Sequence, residues 1–256
     1  MMKGISRAAV GAVVLLVAAV PATVHAQWDG LDPAAVARLE SATDFLAAQN
    51  RFSVDTESVL EAVLETGQKI EFGFVVSLAV ERPDKLRAER HSELVHQVFI
   101  YDGASLTLFN PDDGYYATRA APATIEGMLD FAREKLDIVA PAGDLVYSNA
   151  FEILMDDVTT AFIVGDAVVE EVRCDHLAFR NPSTDWQIWI QQGEQPLIRK
   201  MVITSADIVG QPEFRIVMTS WDLAPAFPDA YFTFDAPEDA VAIEFLPAAA
   251  GGDPSE

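Results

Sequence analysis

The chain has 256 residues, half of them hydrophobic, with 17 Lys+Arg against 40 Asp+Glu, four His and one Cys. A net charge of −23 argues against nucleic acid, whose phosphates need a basic footprint, and against broad attraction to anionic lipid headgroups. A single cysteine, Cys174, excludes an internal disulfide and any C-x-x-C chemistry. Lys3 and Arg7 precede a short apolar run, Ala8–Val20, and Val24-His25-Ala26 offers small residues for cleavage before Gln27. Residues 1–26 therefore read as a secretory signal peptide. The alternative, a retained anchor, needs a longer span of about 20 apolar residues. No cysteine stands near the cleavage site to carry a lipid. Losing Lys3 and Arg7 takes the net charge from −23 to −25. Residues 27–247 are expected to form one β-rich domain, and 248–256 a frayed tail of small and polar residues.

Behind a short linker, Asp32 is suited to cap a helix and Pro33 to its first turn. Val36, Leu39 and Leu46, with Ala35, Ala42 and Phe45 beside them, recur near a period of 3.6 and predict a helix over 33–49. A strand is expected around 52–64, then a turn at Thr66-Gly67-Gln68-Lys69. The next stretch organises the chain. Ile70, Phe72, Phe74, Val76, Leu78 and Val80 alternate with Glu71, Gly73, Val75, Ser77, Ala79 and Glu81. A period of two is a strand with one oily face. At about 3.4 Å per residue it runs to roughly 35 Å, longer than an ordinary strand. Pro83, which lacks an N–H, ends it. Such a strand belongs to a strongly curved sheet or a barrel wall.

Strands at 86–90, 95–101, 105–109 and 115–118 then follow, with a hairpin signal at Asp102-Gly103 and a turn at 110–114. This part reads as an antiparallel meander. The middle, 123–158, changes to helical spacing in two segments separated at Pro141, and helices between sheet blocks usually cover a sheet face. A second β-block spans 160–234. Its turns are read at Gly165-Asp166, Asn181-Pro182-Ser183, Gln192-Gly193-Glu194 and Gly210-Gln211-Pro212. Its strands are read at 168–180, 186–190, 197–204 and 213–221, with one more at 231–234.

No metal-ligand spacing, G-x-S-x-G elbow, P-loop or G-x-G-x-x-G occurs. The densest constellation is Cys174-Asp175-His176-Leu177-Ala178-Phe179-Arg180 followed by Asp185-Trp186-Gln187-Ile188-Trp189-Ile190. On one strand Cys174 and His176 share a face and Asp175 points away, which spoils a triad. Arg180 and Asp185 are placed to close a hairpin between the two segments. Trp186 shares a face with Ile188 and Ile190, and Trp189 with Gln187, so one of the two tryptophans lines the concave side.

At these residues the sequence resembles a family of bacterial periplasmic proteins built on a domain of unknown function, grouped with the LolA/LolB lipoprotein-carrier superfamily. The matching stretches are Gly67-Gln68-Lys69, Arg82-Pro83-Asp84-Lys85-Leu86-Arg87, Tyr101-Asp102-Gly103, Tyr116-Ala117, 174–180 and 185–190. The resemblance implies an α+β, mainly antiparallel fold: an open half-barrel with helices covering its concave face and a hydrophobic cavity between. It also implies a periplasmic location. LolA hands lipoproteins to an outer-membrane acceptor; no acceptor contact or acyl specificity is legible in this chain.

Three functions compete. The first is a carrier for a lipid, an acyl chain or a lipoprotein moiety, with Phe72, Phe74, Val76, Leu78, Phe99 and Trp189 as the candidate lining. The second is an envelope interaction protein whose core is filled by its own side chains. The third is a hydrolase working through His176. The carrier reading needs no cofactor, metal or catalytic residue, and no transmembrane segment in the mature chain.

Overall fold

The computed structural model describes residues 30–138, 140 and 142–245. The signal-peptide reading over 1–26, the tail from 248 and the break at Pro141 lie outside the described residues. After β1 (Gly30–Leu31), the Asp32 carboxylate accepts the Ala34 N–H at 2.9 Å and Pro33 opens α1 (Pro33–Ala47). Ala35, Leu39, Ala42 and Leu46 form its buried face, as their spacing requires.

The first β-block is a meander of β2 (Arg51–Val63), β3 (Lys69–Glu81), β4 (Lys85–His91), β5 (His96–Tyr101), β6 (Ser105–Asn110) and β7 (Tyr115–Ala120). The long strand foreseen at 70–83 is β3, and it pairs with β2 along its whole length, from Arg51↔Glu81 to Val63↔Lys69. α2 (Ile125–Leu136), a 3-10 turn (Gly143–Val146) and α3 (Ala150–Leu154) then interrupt the strands. Thr124 caps α2, and Asp137, at φ 56°, ends it in the left-handed region.

The second block runs β8 (Thr160–Val169), β9 (Val172–Arg180), β10 (Thr184–Gln191), β11 (Ile198–Ser205) and β12 (Glu213–Asp222). β13 (Val241–Ala242) comes last. One sheet results, in the order β1-β8-β9-β10-β11-β12-β2-β3-β4-β5-β6-β7-β13. Among the described residues only β1 on β8 and β13 on β7 are parallel. β12 on β2 joins the two meanders into one large open curled sheet. This is the mainly antiparallel fold with helices on one face that the resemblance implied.

Two expectations fail for local reasons. Gly165-Asp166 is not a turn. Gly165 sits inside β8 at φ 148°, where the register against β9 shifts, so the glycine serves a bulge. The turn is made instead by Glu170 and Glu171, at φ 45° and 65°, and nothing in their composition signals it. Residues 231–234 are not a strand either. They cover the outer face of the first meander: Phe234 packs on Phe109 and Tyr116, and the Arg87 guanidinium lies over Tyr231.

Strand alternation gives the sheet two faces. The inner one carries the main core. Phe52, Val80, Leu86, Tyr101 and Leu106 meet Leu39 of α1 and Ile125 and Met128 of α2, all at 3% exposure or less. Tyr101 donates a hydrogen bond from its hydroxyl to the Pro122 carbonyl and so ties β5 to the segment entering α2. Burial, with the nearby Asp84 and Asp102 charges, pushes its pKa to about 12. The outer face carries a smaller cluster of Val169, Cys174, Trp189 and Val202.

Candidate functional site

Cross-strand pairs arrange the inner face in rows. The deepest row, Phe52–Val80–Leu86–Tyr101–Leu106, is closed beneath the helices. The next, Val54–Leu78–Ala88–Phe99–Leu108, is only partly covered: Leu78, Ala88 and Phe99 are half-buried. Three rows further along β2 and β3 comes a stripe that crosses six strands: Phe179–Trp186–Ile203–Phe214–Leu60–Phe72. Phe179 and Trp186 stack at 4.0 Å and are 3% and 4% exposed, whereas Leu60 and Phe72 are 36% and 40% exposed. The sheet therefore carries one apolar surface that runs from buried core to open solvent. Phe74 stands at the junction, stacked on Phe214 at 6.3 Å.

Five of the six residues taken from the sequence, Phe72, Phe74, Val76, Leu78 and Phe99, share this face. Trp189 does not. It lies on the outer face, stacked on His176 at 4.0 Å with the Lys200 ammonium 4.5 Å from its centroid. Trp186 is the tryptophan on the helix-covered side. Periodicity showed that the two rings oppose each other, but parity alone carries no sign for which side is inner. Sequence reasoning also missed Leu60, Ile203 and Phe214. Leu60 was within reach, because Phe52, Val54 and Leu60 share a parity in β2.

The inner face also holds polar groups. Between the half-buried row and the mouth lie Thr56, Ser58 and Arg90. The Thr56 hydroxyl donates to the Val76 carbonyl at 3.3 Å. The Arg90 guanidinium stacks over Phe74, 4.2 Å from the ring centroid. Arg82 links the sheet to the helical insert, donating to the Val146 carbonyl at 2.8 Å with Glu126 at 3.7 Å.

The Cys174–His176 constellation is not brought together. Asp175 faces α1, where it pairs with Arg38 at 2.6 Å and accepts from Gln192 at 2.7 Å. His176 meets the Gln187 amide oxygen at 2.9 Å on the other face. Burial holds the His176 pKa below the usual imidazole range, with Lys200 adding to the effect and the Gln187 hydrogen bond opposing it. Cys174 is fully buried, and burial pushes its thiol up. Arg180 and Asp185 close the hairpin with two hydrogen bonds, 2.5 and 2.6 Å, as their positions in the sequence foretold.

Two shallow, open depressions lie on the surface of the described residues. One, of about 620 Å³, is bordered by Val59, Phe74, Val75, His91, Lys200 and Arg215, most of which point to the outer face. The other, of about 530 Å³, lies on the loop 206–211 between β11 and β12. Neither lies beneath the helices. No group of metal-ligating side chains occurs, and no helix is long and apolar enough to cross a membrane, among the described residues.

An open, curled antiparallel sheet with helices on one face, and an apolar inner surface exposed at one end, defines the class. Residues 35–246 match the family described as "Predicted periplasmic protein (DUF2092)", and the chain belongs to that family of periplasmic proteins. No match is found among curated proteins. Among solved structures, the chain is similar to LprF from Mycobacterium bovis at 11% identity and TM-score 0.49, covering 83% of this chain and 100% of that one. It is similar to the lipoprotein LppX from Mycobacterium tuberculosis at 13% identity and TM-score 0.49, covering 77% and 100%. A LolA superfamily protein from Nitrosomonas europaea, NE2245, aligns at 13% identity and TM-score 0.38, covering 78% and 97%.

Proposed function

We propose that the protein is a periplasmic binding or carrier protein whose inner sheet face holds a lipid, an acyl chain or the lipid moiety of a lipoprotein. The observation that carries this reading is the stripe from Phe179 to Phe72, buried at one end and exposed at the other. An apolar surface continuous with the core but left open is costly unless something covers it. Each ligand methylene buried there would contribute about 0.8 kcal/mol, so a medium chain binds on apolar contact alone. The test is titration with a fluorescent fatty acid. Phe74→Asp abolishes binding, whereas Glu71→Gln, on the outer face, leaves it unchanged. Equal binding by wild type and Phe74→Asp would sink the inner face as the site.

A second reading has its own observation. The space under the helices is filled by Leu39, Tyr101, Leu106, Ile125 and Met128, all fully buried. That favours an interaction protein using its sheet edge or acidic surface. Mass spectrometry of protein purified from the native envelope decides between the two: co-purifying lipid favours the carrier, and its absence together with no probe binding leaves the interaction protein. We assign residues 1–26 as the export signal. Mature protein is expected to begin at Gln27, and an N-terminal sequence starting at Met1 would contradict this.

A further inference from the structure

Beside Phe74 the fold leaves two polar atoms without a use of their own. Ser58 is 3% exposed, and its Oγ is buried with no hydrogen-bond partner. Arg90 Nε is likewise buried and unpartnered. Arg82 Nε shares that condition, but the Arg82 guanidinium is engaged elsewhere, at the Val146 carbonyl. Among the described residues Arg90 has no carboxylate within ion-pair distance, in a chain with 40 Asp+Glu. The nearby Glu89 is already engaged, by Arg87 at 3.6 Å and His96 at 2.8 Å.

The two residues flank one ring, Phe74. Ser58 is the direct cross-strand partner of Phe74, and Arg90 is that of Val76 while its guanidinium covers the Phe74 ring. The spot lies between the mouth residues Leu60 and Phe72 and the half-buried row of Leu78, Ala88 and Phe99. A buried donor left unmade is costly, and folded proteins satisfy such donors with protein, water or ligand. A guanidinium and a hydroxyl together select an acceptor that carries negative charge. The apolar surface on the deeper side suits a hydrocarbon chain.

We propose that Arg90 and Ser58 form the headgroup anchor of the apolar inner face, and that the ligand is an anionic single-chain amphiphile. Its carboxylate or phosphate oxygens accept from Arg90 and Ser58, and its chain lies over Leu78, Ala88 and Phe99. This rests on the carrier reading and deepens it. It also reconciles a strongly acidic protein with an anionic ligand: the attraction is local, at one unpaired cation, and the surface charge discourages adsorption to anionic membranes.

The experiment compares pyrene-labelled dodecanoic acid with its methyl ester on the full mature chain by fluorescence titration. The acid is expected to bind wild type at least about tenfold more tightly than the ester, the scale of one charge-assisted hydrogen bond. Arg90→Met, which keeps the stem over Phe74, brings the acid down to the ester's affinity and leaves the ester unchanged. Ser58→Ala gives a smaller loss for the acid only. Competition by dodecanoate against dodecyl phosphate then tells whether the head is carboxylate or phosphate. Equal binding of acid and ester by wild type overturns the anchor and leaves the carrier standing, with water satisfying the two atoms. No binding of either probe overturns both. The acid–ester comparison on wild type needs no variant to fold.

Discussion

His96 and His176 titrate in opposite directions because their surroundings differ. His96 bonds Glu89 at 2.8 Å and Asp112 at 3.3 Å. The Glu89 hydrogen bond, joined by Asp112, raises its pKa against a smaller opposing effect of burial. A raised folded-state pKa means that the His96 contribution is fully present below the unfolded value of about 6.5 and is lost as pH rises through the folded value. His176 is the reverse: buried against Trp189, with a lowered pKa, it contributes above about 6.5 and loses that as pH falls through its folded value. Urea denaturation across pH checks both. His96→Gln lowers the midpoint at about pH 5.5 but not at about pH 9, and His176→Gln flattens the acid-side decline. An unchanged pH profile in both variants would refute the assignment. Neither shift was legible in the sequence, because each depends on a partner from another strand or hairpin.

At the scale of elements, the β8–β9 hairpin shows where local chemistry and fold part ways. Glu170 and Glu171 sit at positive φ, as a two-residue loop of this kind requires, although Asn-Gly is the pair suited to it. Glu170→Asn with Glu171→Gly should stabilise the protein by about 1 kcal/mol, read from the urea midpoint. A loss instead would show that the glutamates make an interaction worth more than the backbone cost. The same segment explains the misread strand. Composition put the break at Gly165, where glycine serves a bulge, and passed over a turn held only by pairing on both sides. By contrast α1, β2, β3 and β10 were legible with ends within two residues, and so was the turn that joins β9 to β10, although β9 begins four residues later than the strand read at 168–180. Their signals were local: a cap, a period, an Asn-Pro-Ser turn. In that turn the Asn181 side chain accepts from the Ser183 and Thr184 N–H groups.

For the whole molecule, the weak points of an open sheet are its edges. Each edge is blunted by two residues: β1 against β8, and β13 against β7, the latter through Val241 N–H to Gly114 O and Ile243 N–H to Tyr116 O, both 2.8 Å. Truncation after Ala240 frees the β7 edge and is expected to promote self-association, seen by light scattering; a truncated chain as monodisperse as the full one would refute this role. The sequence by itself determined the class of fold, because alternation over the twelve residues from Ile70 to Glu81 and helical spacing in α1 and α2 depend only on near neighbours in the chain. It determined that one face of β3 is apolar and that Phe72, Phe74, Val76 and Leu78 share it. Only the tertiary structure decided which tryptophan joins that face, since parity has no sign until another element covers one side. Only the tertiary structure decided how far the helices reach, leaving Phe72 open while Val80 is closed. The Arg90–Ser58 pair beside Phe74 was beyond sequence reading for the same reason. Ser58 and Arg90 are 32 positions apart, on different strands, and only the registers of β2–β3 and β3–β4 bring them to the same ring.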